Sequence, residues 1–181
     1  IKKTRDSLHE ARHLPGYFYT SNDIFQLEMD KIFMREWLCI GRVEEYEKNG
    51  DYQAFRIANE PVLVCRGLDG EIRAFRNLCQ HRGVEVAVGK GNGKLFVCRY
   101  HAWSYDTLGN LKAAPHSEQV KNFDFKSCHL PTLKLDTWGG YIFINFDPHC
   151  RSLNDCLDED GVRRFAAFLQ PENTRLSHKF E

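Results

Sequence analysis

Two short cysteine–histidine pairs, Cys79-Gln80-His81 and Cys98-Arg99-Tyr100-His101, stand sixteen residues apart and constrain this 181-residue chain more than any other feature. Each pair offers one thiol and one imidazole. Placed face to face as the tips of two hairpins, they would set Cys79 and Cys98 on an inner side, with His81 and His101 outside them, nearer to solvent. That donor set suits a [2Fe–2S] cluster whose inner iron is held by two thiolates and whose outer iron is held by two imidazoles. Neutral imidazoles lower the net negative charge of the cluster and raise its potential into the range of roughly −150 to +300 mV. The expected result is a one-electron relay of middle potential. A Cys2His2 zinc site uses the same donors and is the competing reading. It is disfavoured because a one-residue gap strains two ligands that converge on one tetrahedral ion.

The segments around the pairs read as short strands. Asp51 to Ile57 alternates, and Val62 to Arg66 and Glu71 to Asn77 flank the turn Gly67-Leu68-Asp69-Gly70. Leu95 to Val97 runs into Cys98, His101 to Tyr105 leads out, and Thr107 to Asn110 turns the chain back. Leu133 to Leu135 and Tyr141 to Phe146 flank Gly139-Gly140. Short strands at regular spacing predict a mainly β fold of stacked antiparallel sheets. Ahead of them, Ser21 is the predicted N-cap of a helix over residues 22–36, with Asp23 in its first turn and apolar Ile24, Phe25, Leu27, Ile32 and Phe33. Residues 152–169 return to helical composition. The predicted organisation is an arm and helix over 1–45, the cluster-binding domain over 46–150 and, over 151–181, the start of a connection to a further domain that is expected to be absent.

The pairs with their flanks, Cys79-Gln80-His81-Arg82-Gly83 and Cys98-Arg99-Tyr100-His101-Ala102-Trp103-Ser104-Tyr105-Asp106, then Gly109, Leu111 and Pro115, resemble the Rieske domain of ring-hydroxylating and related Rieske non-haem iron oxygenases. Upstream, Tyr19-Thr20-Ser21, Ile24, Phe25, Leu27, Glu28, Ile32, Phe33 and Trp37 resemble the lead-in of the same family's α subunits, which small Rieske ferredoxins lack. The likeness runs over about residues 14–150.

This resemblance implies the Rieske fold with two cluster-binding hairpin loops, and a Rieske-type [2Fe–2S] cofactor on Cys79, His81, Cys98 and His101. It also implies supporting roles nearby. Arg82 would pair with a carboxylate, Tyr105 would bond a cysteine sulfur, and Pro115 would belong to a loop closing over the cluster; exposure, core packing and an ordinary turn are the respective alternatives. Trp103 would cover the cluster rather than conduct electrons. Val84 and Tyr100 stand where respiratory Rieske proteins carry a disulfide, and Trp103 stands where they carry a serine. Fewer hydrogen bonds to sulfur imply a lower potential.

The resemblance further implies electron entry from a reductase or ferredoxin, a potential that depends on pH, and exit through His101. The acceptor would be mononuclear Fe(II) in the catalytic domain of a neighbouring subunit, within a homotrimer or an α3β3 ring. That iron needs two histidines and a carboxylate. After Cys150 the sequence offers only His178, so the catalytic domain is expected to be absent and the chain, Ile1 to Glu181, to be a fragment of an oxygenase. The complete enzyme would attack an aromatic ring or an N-methyl group. A free-standing Rieske ferredoxin-like carrier is the alternative.

Composition narrows the partners. Twenty-five basic and 25 acidic side chains leave no formal net charge, which favours neither nucleic acid nor an anionic membrane. No apolar run approaches the roughly 18 residues of a membrane span. The seven cysteines lack the dense spacing of a secreted disulfide scaffold, so a cytoplasmic location with reduced thiols is expected. Cys65 is expected to pack in a sheet, and a Cys150–Cys156 bridge is the lesser expectation. His9-Glu10-Ala11-Arg12-His13 spells a zinc-protease motif, but Pro15 interrupts it and Tyr19 takes the third-ligand position, so a surface helix is expected. His116, His129, His149 and His178 have no ligand spacing and are expected at the surface.

Overall fold

Residues 61–65 of strand β3 (Glu60–Arg66) are buried in unbroken succession. Side chains of a strand point alternately to its two faces, so a continuous run of burial means that both faces are covered. Val62 and Val64 enter one core and Leu63 and Cys65 the other. The next strand, β4 (Ile72–Arg76), repeats the division with Ala74 and Phe75. The structure, a computed structural model, describes residues 12–57, 59–117 and 119–157.

Three antiparallel sheets follow. The middle sheet has the order β4-β3-β2-β5, where β2 is Asp51–Ile57 and β5 is Gly89–Asn92. Over one face lies β1-β10-β9, with β1 Leu38–Arg42, β9 Lys134–Trp138 and β10 Tyr141–Asn145; Ile142, Ile144 and Phe146 pack there with Val62, Val64 and Ala74. Over the other face lies β6-β7-β8, with β6 Leu95–Val97, β7 Ser104–Asp106 and β8 Leu111–Ala113; Phe96, Tyr105 and Leu111 pack with Leu63, Cys65 and Phe75. Burying a side chain such as Phe75 or Leu63 contributes roughly 1.5–3 kcal/mol. The mainly β fold of stacked antiparallel sheets is as the sequence predicts. Gly139 and Gly140 close the two-residue β9–β10 hairpin with φ of 58° and 80°, the left-handed pair that such a turn requires.

Two strands carry no sequence signal. β1 contains Gly41 and a bulge, lies before residue 46, and hydrogen-bonds to β10. β5 is Gly-Lys-Gly-Asn, a poor strand former by composition. Tertiary contacts hold it: the Tyr52 ring lies over Gly91, and the Asn92 side chain donates to Asp51 Oδ1 at 2.8 Å and to the Asn49 carbonyl at 3.0 Å.

The predicted helix over 22–36 is shorter and less regular. Helix α1 spans Asn22–Glu28, capped by Ser21 Oγ, and passes into a π turn over Met29–Phe33, closed by Met34 N–H donating to Met29 O at 3.0 Å. The wider turn shifts the stripe's phase. Met29 is buried, whereas Phe25, Leu27 and Ile32 are exposed. At the other end, helix α2 covers Leu153–Cys156 under a Ser152 cap, and Trp37 Nε1–H donates to Arg151 O at 2.9 Å. The rest of the predicted 152–169 helix lies outside the described residues, as do His9, Glu10 and His178. No helix among the described residues is long and apolar enough to cross a membrane.

Candidate metal centre

The two cysteine–histidine segments share one backbone frame. In the first loop Cys79 N–H donates to Val84 O and Gly83 N–H donates to Cys79 O, both at 2.8 Å. In the second, Cys98 N–H donates to Trp103 O at 2.8 Å and Ala102 N–H donates to Cys98 O at 2.9 Å. Each frame needs a left-handed residue four places after its cysteine, and Gly83 (φ 68°) and Ala102 (φ 57°) supply it. The histidine falls two places after Cys79 but three places after Cys98.

Their supports differ. The second loop is a hairpin tip, with Val97 and Ser104 paired beneath it. The first is not a hairpin tip, contrary to the sequence expectation. It links β4 to β5, which stand at opposite edges of the middle sheet. The sequence could not reveal this, because strand order depends on the pairing partners and not on the local pattern.

Depth sorts the four donors. Cys79 and Cys98 are 2% and 3% exposed, whereas His81 is exposed and His101 is half-buried. The two imidazole rings meet edge to face, 4.7 Å between centroids. His101 Nδ1 is buried and has no hydrogen-bond partner. Burial depresses the pKa of His101, and the neighbouring His81, Arg82 and His116 push it the same way, which favours the neutral ring that a metal ligand must present. Burial raises the Cys79 thiol, opposed by hydrogen bonds from the Tyr105 hydroxyl and the His81 backbone N–H, while Cys98 beside it adds to the rise.

Tyr105 is fully buried on β7, yet its hydroxyl serves the opposite loop. It accepts from Gln80 N–H at 2.9 Å, which leaves its proton for Cys79 Sγ at 3.4 Å. Trp103, 7% exposed, stacks on His81 at 4.9 Å and meets Phe123 edge to face at 5.6 Å. Tyr100 is exposed and packs on His101, 3.9 Å between centroids. Arg82 is exposed with its guanidinium over the Tyr100 ring, and among the described residues it has no carboxylate partner. Pro115 lines a cavity of about 580 Å³ with Val120, Phe123 and Phe125, beside Trp103. Sequence reasoning missed Phe123 and the proximity of His116 to His101. It also missed Asn77, a buried polar residue at the base of the first loop.

Among the described residues no group of three or more His, Cys, Asp or Glu side chains is already gathered about a single metal position. Two buried sulfurs with two outer imidazoles fit a two-metal cluster. The Rieske [2Fe–2S] domain model matches residues 36–124. The chain is 34% identical to the carnitine monooxygenase oxygenase subunit of Escherichia coli (strain K12) over 172 residues, which are 94% of this chain and 46% of that protein. The chain belongs to the Rieske oxygenase α-subunit family and carries its Rieske domain. The benzene 1,2-dioxygenase α subunit of Pseudomonas putida is 36% identical over 152 residues, 83% of this chain and 34% of that protein. The quaternary ammonium Rieske monooxygenase CntA, solved with L-carnitine, superposes with a TM-score of 0.77 at 33% identity, over 84% of this chain and 44% of that one. This Rieske chain thus spans less than half the length of the relatives it matches.

Of the remaining cysteines, Cys65 is a packing residue whose Sγ lies 3.6 Å from Thr107 O, and burial pushes its thiol up to about 12. Cys150 and Cys156 are free thiols. His129 and His149 are exposed, as expected.

Proposed function

We propose that Cys79, His81, Cys98 and His101 hold a [2Fe–2S] cluster, and that the domain passes single electrons from a reductase or ferredoxin towards a mononuclear iron in an oxygenase catalytic domain. The sorting of the donors by depth carries this reading. The thiols are inside, the imidazoles are outside, and a buried Nδ1 has no other partner. When bound, the cluster supplies a one-electron couple of middle potential. The chain's own residues set its surroundings. Tyr105 and the His81 backbone give hydrogen bonds to the Cys79 sulfur, Trp103 backed by Phe123 covers one face of the His81 ring, and His81 is left exposed for electron exchange.

The lead-in helix α1 supports an oxygenase subunit over a free-standing carrier, which needs no such element. The longer alignment with the carnitine relative supports an N-methylated, quaternary ammonium substrate for the whole protein over an aromatic ring. The acceptor iron would stand in a neighbouring subunit of a homotrimer or an α3β3 assembly. Electron paramagnetic resonance of the dithionite-reduced chain, with iron and acid-labile sulfide analysis, tests the site. A rhombic signal of low average g with two irons and two sulfides per chain is expected; a silent, colourless protein with stoichiometric zinc would overturn the reading.

A further inference from the structure

The first loop has a support problem that the second lacks. Its ends enter strands at opposite edges of a four-stranded sheet, so no ladder of paired residues lies beneath it. Its own closing bonds fix only the tip. Backbone polar groups at the base must find partners elsewhere or remain buried and unpaired.

Asn77 fills this gap. The residue is 1% exposed, and its carboxamide bonds across the whole loop base. Oδ1 accepts from Val86 N–H at 3.0 Å and from Ala87 N–H at 3.1 Å, and Nδ2 donates to Ala87 O at 2.8 Å. One side chain thus offers the donor and acceptor that a neighbouring strand's peptide group would present. Its own N–H donates to Pro61 O at 2.9 Å, which ties the staple to β3. Val86 and Ala87 belong to the same buried cluster as Cys79 and Cys98.

We propose that Asn77 is the positioning residue of the first loop: its carboxamide stands in for the missing strand ladder and sets where Cys79 and His81 lie opposite Cys98 and His101. This rests on the reading that those four residues hold the cluster. Aspartate at position 77 would keep both accepted bonds and lose the donated one, turning a carboxylate oxygen against Ala87 O. Alanine would lose all three.

The molecule contains its own control. Asn145 is also 1% exposed and also staples backbone, donating to Arg35 O at 2.8 Å and accepting from Asp147 N–H at 2.8 Å, but it lies on β10, in the sheet that carries none of the four donors. The test compares the full chain, Asn77→Ala, Asn77→Asp and Asn145→Ala after reconstitution with iron and sulfide, by cluster content, electron paramagnetic resonance line shape and thermal unfolding. For Asn77→Ala we expect a several-fold loss of cluster content and a broadened or second rhombic signal in what remains. Asn77→Asp should show the same disturbance at smaller amplitude. Asn145→Ala should unfold at lower temperature with an unchanged signal. A fully loaded Asn77→Ala chain with the parent line shape would overturn the proposal, as would equal disturbance by Asn145→Ala. If Asn77→Ala yields no folded protein, Asn77→Asp decides by the same criterion. A parent chain without a Rieske signal would instead refute the cluster assignment itself.

Discussion

The second loop rises from a hairpin whose strands pair directly beneath it, whereas the first hangs between two strands that never touch. Both use the same tip, with one hydrogen bond in each direction and a left-handed residue at the same place. A shared tip geometry therefore does not depend on a shared base. The hairpin inherits its position from the sheet, and the hanging loop takes its position from side chains, chiefly Asn77 below and Tyr105 across.

The largest expected effect tests how unequal the equivalent positions are. Five places after its cysteine, the second loop carries buried Trp103 and the first carries Val84, which is 37% exposed. Trp103→Ala should lower stability by about 3–5 kcal/mol, the range for emptying a large aromatic site. Val84→Ala should change it by less than about 0.5 kcal/mol, as for exposed positions. Denaturant unfolding of the two variants measures the ratio. Similar losses would mean that the loops are equally integrated in the core and that the comparison fails.

Tyr105→Phe is next in size. It removes the partner of Gln80 N–H and the donor to Cys79 Sγ and leaves the second loop's bonds intact. A loss of about 1–3 kcal/mol is expected from the buried group left unpaired. The potential of the loaded protein should fall, because one hydrogen bond to a ligand sulfur is gone. A redox titration with unchanged midpoint would show that the hydroxyl serves only the fold.

The left-handed positions give a matched pair of smaller changes. A Cβ on Gly83 meets nothing within 4 Å, so Gly83→Ala isolates the backbone cost, about 1 kcal/mol. Ala102→Gly removes that strain at the same place in the other loop and should shift thermal unfolding in the opposite direction. Shifts of the same sign would mean that the two tips are not equivalent after all.

These contrasts also explain what could be read in advance. The donors, the hairpin from β6 to β7 and the Gly139-Gly140 turn are local patterns, and the sequence carries them openly. So is the double burial of β3, visible as the run Val62-Leu63-Val64-Cys65. Strand β5 was illegible because Gly-Lys-Gly-Asn becomes a strand only under Tyr52 and beside Asp51. The crossing path of the first loop depends on sheet order, and the π turn after α1 inserts one residue that no periodicity marks. Asn77 looked like the end of a strand. Its role appears only once Val86 and Ala87 are folded back against it.

A third connection, the β3–β4 turn, serves as the reference for both loops because it holds no donor and lies on the surface. There Arg73 makes paired bonds to Asp69 at 2.8 and 2.7 Å, and that hydrogen bonding lowers the Asp69 carboxyl to about 2. A depressed carboxyl stabilises the fold fully above its unfolded value, near 3.8, and the contribution is lost as pH falls through about 2. Asp69→Asn should therefore unfold slightly more easily than the parent at pH 6, with the gap closing towards pH 2. Because Asp69 is exposed and water screens the pair, the gap should be the smallest of the series. The electron paramagnetic resonance line shape should not change at all. A disturbed signal from this remote turn would mean that the middle sheet transmits strain to both loops, and the hanging loop would then owe its position to the sheet as much as the hairpin does.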